Sequence, residues 1–355
     1  MRVLALTRYD TLAASTRQRF RLYGPALAEA GISVDYAPLF SNDHVHRLVL
    51  GRRPSPVATA AAYARRLGTL LGTRRYDALW VYCELFPYLP GLFERLAGWT
   101  GKPVIFDIDD AIFHYYDASS RPFVRLLLGG KLEPLLKSAA ACICGNPYLR
   151  DYAARFCDRS MVLPTVVDTS VYRPVSRPDD KAVIIGWIGS PTTWQNVRPL
   201  LPLLSELAAE GRVRVRAVGA GVNAEADRFE GLELVDWSEE SEVAEVQRMD
   251  VGIMPLFDRP FERGKSGYKL IQYMACGLPV VASPVGVNSD IVREGEIGFL
   301  ANSREQWGKA LRTLIGDREL RARMGQAGRA RAEADYSLAS QAPRLIEVFR
   351  EISRR

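Results

Sequence analysis

The stretch MPLFDRPFERGKSGYKLIQYMACGLPVVA, residues 254–282, is the most informative part of the sequence. Apolar runs at its two ends flank a segment with helical spacing, which predicts a buried strand, a loop, a helix and a second buried strand. Ser266 stands where a helix cap is expected, and Gly267 would let a ligand approach the backbone closely. Such a unit is typical of parallel, doubly wound α/β sheets.

The same alternation of strand and helix patterns extends to both sides of this stretch. Short runs rich in β-branched residues occur at residues 3–6, 78–81, 104–107 and 140–144, and a second series at 182–189, 213–218, 232–235, 251–254 and 279–282. Two series predict two Rossmann-like doubly wound α/β domains, which we expect to face each other across a cleft.

The domain boundaries follow from the segment between the two series. Residues 167–180 are rich in proline and polar residues and lack periodicity, which predicts a linker. We expect a first domain at 1–168 and a second at 169–337. Apolar residues at helical spacing predict a last helix within 338–355, which we expect to pack back on the first domain.

Length and composition fit this organisation. A chain of 355 residues, with 48% hydrophobic and 25% charged residues, has the composition of a globular protein rather than of a disordered or fibrous one. No apolar run approaches the roughly 18 residues that span a bilayer, and the first run is too short for a signal peptide. The five cysteines lack paired spacing, so we expect reduced thiols and a cytoplasmic protein.

Positive charge is concentrated in residues 44–75. This segment has seven arginines and no acidic residue, in a chain of net charge +6. We hypothesise that it docks peripherally on an anionic membrane surface, at the inner face of the membrane. The alternative is a solvated basic helix on an ordinary core. The apolar residues interspersed with the arginines are Leu48, Val49, Leu50, Val57, Tyr63, Leu67, Leu70 and Leu71.

The start of the helix within 254–282 has the properties of an anion site. Free N–H groups of its first turn and the helix dipole attract negative charge. Arg263 and Lys265 add positive charge, and Lys269 lies one turn beyond Lys265 on the same face. The pattern predicts a diphosphate site, with a solvated basic helix start as the alternative.

From Gly264 through Asn288 the sequence resembles retaining glycosyltransferases of family 4, also called group 1, which have the GT-B fold. The resemblance implies transfer of a hexosyl group from a nucleotide-diphosphate sugar to an acceptor hydroxyl, with retention. The acceptor would be a glycan, a lipid-linked molecule or a polysaccharide precursor. The family has two glutamates in an E-x7-E motif, the second holding the donor ribose, where this chain has Gly264 and Gln272. Gln272 retains hydrogen-bonding capacity without the charge.

Two further loops complete the expected site. GWIGSPTT, residues 186–193, is similar to the loop that opens the family's donor-binding domain, and its hydroxyls suit phosphate oxygens. After the first strand, a helix capped by Ser15 or Thr16 carries Arg17 and Arg19. We expect these arginines to face the cleft and to meet donor phosphates or an anionic acceptor.

FDIDDAIFH, residues 106–114, ends a predicted buried strand with a cluster of carboxylates. Asp107 and Asp109 share one face of the strand. We expect them to contact acceptor hydroxyls or to form a salt link with Arg17, and a purely structural cap is the alternative. His114 would orient a sugar hydroxyl or be an ordinary surface histidine.

The residue roles follow from the need to stabilise a departing nucleotide diphosphate. We assign catalytic roles to Lys265, Arg263, Asp109 and His114. We expect the donor to be bound by Gly189, Ser190, Thr192, Ser266, Gly267, Tyr268, Lys269 and Gln272. Arg17 and Asp110 are expected to contact the acceptor or phosphate, and we expect no metal ion, other cofactor or nucleic acid.

Two other functions remain open from the sequence. A nucleotide-sugar 2-epimerase of the same fold would use Asp109 and His114 near the sugar. A non-catalytic sugar-nucleotide-binding protein would explain the missing glutamate pair at Gly264 and Gln272.

Overall fold

A computed structural model describes residues 1–49, 52, 55–176 and 182–354 of the chain. The chain divides into two compact units. The first comprises Met1–Val166, Arg263–Ser266 and Leu338–Arg355, and the second comprises Val167–Glu262 and Gly267–Ser337. Residues 263–266, which the sequence analysis placed in the second domain, thus group with the first unit. Residues 177–180 of the predicted linker lie outside the described residues.

The first unit is built on a parallel six-stranded sheet. Its strands are β1 (Arg2–Leu6), β2 (Ser33–Tyr36), β3 (Ala78–Tyr82), β4 (Val104–Ile108), β5 (Ala139–Cys144) and β6 (Ser160–Val162), in the order β2-β1-β3-β4-β5-β6. Its helices are α1 (Ala14–Arg19), α2 (Gly24–Glu29), α3 (Asn42–Val49), α4 (Pro56–Leu71), α5 (Leu96–Trp99), α6 (His114–Asp117), α7 (Pro122–Leu128), α8 (Glu133–Ser138) and α9 (Pro147–Ala154).

The second unit has a parallel six-stranded sheet of its own. Its strands are β7 (Val183–Ile188), β8 (Val213–Val218), β9 (Leu232–Val235), β10 (Val251–Met254), β11 (Val280–Ala282) and β12 (Gly298–Leu300), in the order β12-β11-β10-β7-β8-β9. Its helices are α10 (Leu201–Ala209), α11 (Glu242–Gln247), α12 (Pro260–Arg263, whose last residue belongs to the first unit), α13 (Tyr268–Ala275), α14 (Asn288–Ile291), α15 (Arg304–Gly316) and α16 (Arg318–Asp335).

The last helix, α17 (Leu338–Ser353), belongs to the core of the first unit. Its Leu345 and Phe349 are fully buried, and the Phe349 ring lies 5.3 Å from the ring of Trp80 on β3. Trp80 also packs against Phe20, with ring centroids 4.1 Å apart. Because all five residues of β3 are buried, both faces of the first sheet need such covering helices.

Strand order identifies where each sheet offers a binding crevice. In the first sheet the chain passes from β1 outward to β2 and then returns to place β3 on the other side of β1. The second sheet reverses in the same way between β7 and β10. Ligands of doubly wound sheets bind beyond the carboxyl ends of the strands at such reversals. The predicted α/β class, with two doubly wound parallel sheets, is confirmed.

Candidate functional site

In the first unit, the carboxyl end of β4 carries Asp109 and Asp110. The Tyr82 hydroxyl donates to Asp109 Oδ1 at 2.5 Å, and the Ser266 hydroxyl donates to the Asp109 carbonyl oxygen at 2.5 Å. Removal of the carboxyl from water, reinforced by the adjacent Asp110 carboxylate, raises the pKa of Asp109 to about 7. Asp109 can therefore take up or release a proton near neutral pH, as acid–base groups of active sites do.

Residues 263–266 are held against this strand end by close backbone contacts. Asn146 Nδ2 donates to the carbonyl oxygens of Gly264 at 2.8 Å and of Lys265 at 3.1 Å. A Cβ atom on Gly264 would lie 2.3 Å from Ala111 Cβ, and one on Gly145 would lie 2.4 Å from the Ser266 hydroxyl. Glycine is therefore needed at both positions for this approach.

Of the two cations in this segment, Lys265 lies beside a carboxylate. Lys265 Nζ is 3.7 Å from Asp110 Oδ1, and Arg263 is exposed. The expectation that Ser266 caps α13 is wrong, because Gly267 is the N-cap residue and Ser266 donates to Asp109 instead.

The two arginines of α1 have different surroundings from those expected. Arg19 is only 1% exposed, and its Nε donates to Asp107 Oδ1 at 2.9 Å. Its Nη1 donates to the carbonyl oxygen of Leu163 at 2.7 Å. Arg17 Nη1 donates to the carbonyl oxygens of residues 11 and 12. Asp107 therefore pairs with Arg19, which does not face solvent, and a salt link between Asp109 and Arg17 stays a prediction.

The start of α1 and the surroundings of His114 also differ from expectation. Ala13 is the N-cap residue of α1, and no side chain caps that helix. His114 Nδ1 lies 2.7 Å from Asp117 Oδ1, and Nε2 lies 2.7 Å from the Tyr148 hydroxyl. A carboxylate only accepts, so Nδ1 carries the proton towards Asp117 and Nε2 accepts from Tyr148. Both ring nitrogens are thus engaged within the first unit.

A buried ion network, which the sequence patterns did not predict, lies at the reversal between β1 and β3. Arg8 Nη1 lies 3.0 Å from Glu84 Oε1, while Lys131 Nζ lies 2.5 Å from Glu94 Oε1 and 3.5 Å from Glu84 Oε2. The Tyr116 hydroxyl donates to Glu84 Oε2 at 2.8 Å. The available signal was the charge in the two loops after β1 and β3, where binding residues of this fold are expected.

The loop after β3 also has unusual backbone geometry. Cys83 and Tyr88 have φ angles of 60° and 64°, in the left-handed region that side chains rarely occupy. Strained residues of this kind cluster at functional sites. Tyr88 is 67% exposed, so its ring at this strand end is accessible.

In the second unit, the loop after β7 presents hydroxyl groups. Ser190 N–H donates to Thr193 Oγ1 at 3.1 Å, and Ser190 Oγ lies 3.0 Å from Thr192 Oγ1. A Cβ on Gly189 would lie 2.4 Å from the Trp187 ring, so only glycine fits there. Lys269 Nζ lies 5.8 Å from the centroid of the same ring, which places a cation near the end of β7.

The start of α13 is shaped by contacts within the second unit. Gly267 has φ 67°, and a Cβ there would lie 2.3 Å from Ile291 Cδ1. Glycine is thus required by backbone conformation and by Ile291, rather than by the approach of a ligand. Tyr268, the first residue of the helix, is half-buried.

Some side chains of the basic segment 44–75 are buried in the first unit, and others are exposed. Leu70 is buried and Tyr63 packs on the core, whereas Val57 and Leu71 are 79% and 86% exposed. Leu67 is also exposed. Leu50 lies outside the described residues, as do the side chains of Leu48 and Val49. In the described part of the chain, no helix is both long and apolar enough to cross a bilayer.

Family models match most of the chain. The model described as "Glycosyl transferase 4-like domain" matches residues 6–164, and the one described as "Glycosyl transferases group 1" matches residues 182–317. Together they cover more than four-fifths of the sequence and correspond to the two sheets. The chain belongs to the group 1 glycosyltransferases.

Relatives of this group 1 chain include enzymes whose names refer to different phosphorylated compounds. The alpha-maltose-1-phosphate synthase of Mycolicibacterium smegmatis is 26% identical over 58% of this chain and 60% of its own length. The D-inositol 3-phosphate glycosyltransferase of Nocardia farcinica is 36% identical over 28% of this chain and 21% of its own length. The matches thus span three-fifths or less of these two relatives.

Solved structures confirm the group 1 fold over the whole chain. Sucrose-phosphate synthase from Thermosynechococcus elongatus has a TM-score of 0.74 and 16% identity, with 99% of both chains covered. Anabaena HepE in complex with UDP and glucose has a TM-score of 0.71 and 14% identity, with 98% of this chain and 99% of that chain covered. Identities this low show the GT-B fold alone.

In this group 1 chain the position of the second family glutamate is occupied by Gln272, and the structure shows its hydrogen bonds. Gln272 is 3% exposed, and its Nε2 donates to Glu242 Oε1 at 2.8 Å and to the Tyr172 hydroxyl at 3.0 Å. Glu242 also accepts from Tyr172 and, at 2.6 Å, from Trp237 Nε1. These bonds use both amide hydrogens of Gln272 inside the second unit, and contact of its carbonyl oxygen with the donor ribose stays a prediction.

Proposed function

We propose that this chain transfers a hexosyl group from a nucleotide-diphosphate sugar to an acceptor hydroxyl. The second unit binds the donor and the first unit binds the acceptor. The proposal rests on family membership over both units, together with one structural observation. That observation is the hydroxyl loop of Gly189, Ser190 and Thr192 beside Lys269 at the reversal between β7 and β10.

The donor-binding role follows from the chemistry of a diphosphate. Ser190 and Thr192 offer hydroxyl donors that can rotate towards phosphate oxygens, and Lys269 supplies a cation. Backbone N–H groups at the start of α13 add further donors. In this proposal Tyr268 and Gly267 shape the donor site through the helix start, and Ser266 acts through its contact with Asp109.

The first unit supplies the acceptor end of the reaction. Asp109, whose pKa of about 7 permits proton exchange at neutral pH, accepts a hydrogen bond from the acceptor hydroxyl. Lys265, Arg263 and Asp110 set the charge beside it, with the two cations available to the departing diphosphate. Arg17 and His114 act by positioning the loops that carry them, through the bonds of Arg17 to the Thr11 carbonyl oxygen and of His114 to the Tyr148 hydroxyl.

Three finer features belong to the same proposal. The transfer retains the anomeric configuration, uses no resident cofactor, and takes place in the cytoplasm on a polysaccharide precursor or lipid-linked acceptor. Proton NMR of the product gives the anomeric coupling constant, and an inverted product would contradict retention. Activity that survives prior dialysis against EDTA is expected, and loss restored only by added metal would contradict a cofactor-free reaction.

Donor binding is tested by the thermal unfolding of the full chain with UDP-, GDP-, dTDP- and ADP-sugars. A ligand that binds only the folded state raises the midpoint, by about 2.7 kcal/mol of stability at a hundredfold excess over Kd. We expect one nucleotide to raise it and Lys269→Ala to abolish that rise. Lys309→Ala, an exposed lysine of the same unit on α15, is the matched control and should respond like wild type.

Transfer itself is tested by chromatography of nucleotide release and sugar product with a panel of glycan and lipid-linked acceptors. Acceptor-dependent product supports the proposal. A 2-epimerised sugar nucleotide formed without acceptor would identify the epimerase alternative. Nucleotide binding with no product across the panel would identify a non-catalytic binding protein.

We also propose that residues 44–75 dock on an anionic membrane surface through α4. Its Val57, Leu67 and Leu71 are exposed on a segment whose charges are all positive. Apolar contact combined with basic charge is what interfacial helices use on anionic lipids.

A second exposed apolar face gives this docking proposal a matched control. On α7, Phe123, Leu126 and Leu127 are 72%, 79% and 53% exposed. Cosedimentation with phosphatidylglycerol vesicles should fall for Leu71→Glu and persist for Leu126→Glu. The reverse result would move docking to α7 and contradict the assignment to α4.

A further inference from the structure

The first unit contains a pocket that the proposed sugar transfer does not use. It has a volume of about 230 Å³ and is lined by Asp10, Pro38, Ser41, Arg65, Arg66 and Thr69, with Ala37. Residues 37–41 follow β2 and Asp10 follows β1, whereas the two arginines and Thr69 lie on α4. The pocket therefore opens at the carboxyl ends of β1 and β2, the edge at which doubly wound sheets bind ligands.

Among the described residues, Arg66 is a buried cation without a counterion. It is 2% exposed, and its Nη2 donates to the carbonyl oxygens of Thr7 at 2.6 Å and Ala37 at 3.0 Å. Its Nη1 is buried and has no hydrogen-bond acceptor among the described residues. The carboxylate with the largest electrostatic influence on it, Glu94, is already paired with Lys131 at 2.5 Å. A buried charge left without a partner costs several kcal/mol, by the general rule.

The rest of the pocket favours a negatively charged occupant. Arg65 Nη2 donates to the Leu39 carbonyl oxygen at 2.9 Å, which holds that side chain beside Arg66. Burial lowers the pKa of the Arg66 guanidinium, which nevertheless stays protonated at neutral pH. Asp10, whose Oδ1 accepts from Thr11 N–H, is the one acidic residue of the described lining. Two arginines against one aspartate leave a net positive charge.

We propose that this pocket binds a phosphate or carboxylate group, held by the guanidinium groups of Arg65 and Arg66 and by the hydroxyl of Ser41. Guanidinium groups bind such oxyanions through paired, charge-assisted hydrogen bonds. The oxyanion supplies the counterion that Arg66 lacks among the described residues. The proposal does not depend on sugar transfer, and the oxyanion belongs to a small soluble ligand or to a lipid headgroup.

The test uses calorimetric titration of the full chain with inorganic phosphate. We expect saturable binding that Arg65→Gln weakens about tenfold or more, as loss of a charge-assisted bond does. Arg74→Gln removes an exposed arginine outside the pocket and should bind like wild type. Arg66→Gln should abolish binding if it folds, and Arg65→Gln keeps the test decisive if it does not. Lys269→Ala, which impairs the proposed donor site, should leave this binding intact.

A second arm distinguishes the two sources of the oxyanion. Vesicles of phosphatidic acid in phosphatidylcholine present the phosphate at a bilayer, and cosedimentation measures binding. Loss of cosedimentation in Arg65→Gln would assign the pocket to a headgroup, whereas loss of phosphate binding alone would assign it to a soluble ligand. Binding unchanged by Arg65→Gln in both arms, or no saturable binding in either, would overturn the proposal.

Discussion

The two sheets share one topology but differ in how charge is used at the strand ends where each reverses. Beyond β1 and β3, Arg8 pairs with Glu84, and Lys131 contacts both Glu84 and Glu94, all largely buried. Beyond β7, the loop that follows Gly189 has neutral hydroxyls and remains accessible. In the first unit these charged side chains stabilise the loops by pairing with each other. In the second unit the loop after β7 is accessible to a ligand.

This difference shows how charged residues in such a sequence should be interpreted. Arg19 and Asp107 occupy positions that suggest ligand contact, yet they form a buried ion pair with each other. The candidates that remain at least partly exposed are Asp109, whose carboxyl pKa is about 7, and the cations of residues 263–266. Burial and pairing, rather than charge alone, decide which strand-end residues can act on a substrate.

The largest expected effect comes from breaking the buried network of the first unit. Lys131→Met removes the cation between Glu84 and Glu94 and leaves two buried carboxylates near each other. We expect the free energy of unfolding to fall by about 3–5 kcal/mol, measured by urea denaturation. Lys137→Met breaks the exposed pair with Glu133 and should cost at most about 1 kcal/mol. Equal losses in the two variants would contradict the structural role of the network.

The next prediction tests how closely residues 263–266 pack on the rest of the first unit. Gly264→Ala places a methyl group 2.3 Å from Ala111 Cβ and 2.9 Å from its backbone nitrogen, so the segment must shift. We expect a loss of about 1–3 kcal/mol in thermal unfolding, together with slower sugar transfer. Gly68→Ala has no atom within 4 Å and lies inside α4, so it should stabilise by up to about 1 kcal/mol. Wild-type stability in Gly264→Ala would show that this contact is not tight.

Much of the fold could be predicted from the sequence because its signals are local. The strands β3, β4 and β10 are short apolar runs, and helical spacing predicted α13 between β10 and β11. The hydroxyl loop that begins at Gly189 was predicted for the same reason, since it directly follows a strand.

The unpredicted part of the site depends on pairs far apart in the chain. Arg19 and Asp107 are 88 residues apart, and Asn146 holds Gly264 from 118 residues away. No local pattern contains such a pairing. Gln272 likewise occupies the position of a family glutamate, yet only three-dimensional packing shows that Glu242 already lies beside it.

Gln272→Glu tests the same contrast by adding a second buried charge to the interior of the second unit. The new carboxyl would lie against Glu242, so burial and like charge would raise its folded pKa above the unfolded value of about 4.3. A raised carboxyl pKa means that stability is present at low pH and lost as pH rises. We expect unfolding at pH 8 to cost about 1–3 kcal/mol less than in wild type, and a smaller difference at pH 5.

Gln326→Glu controls for the added charge, because residue 326 is exposed on α16. Its stability relative to wild type should change little between pH 5 and pH 8. A Gln272→Glu variant with the same flat pH dependence would show that the Glu242 contact does not disfavour ionisation. Tighter donor binding by Gln272→Glu would instead show that the side chain at position 272 contacts the donor ribose despite its burial.

The smallest effect concerns Asp109, the accessible carboxyl of the first unit. Its folded pKa of about 7 lies above its ordinary value, so wild type loses stability as pH rises through 4 to 7, by on the order of 1 kcal/mol because the group is only half-buried. Asp109→Asn should remove that loss and the change in transfer rate near pH 7. Asp110→Asn should keep the rate change but move its midpoint to lower pH, because the Asp110 charge helps to raise the Asp109 pKa. A rate midpoint unmoved by Asp110→Asn would mean that another group titrates.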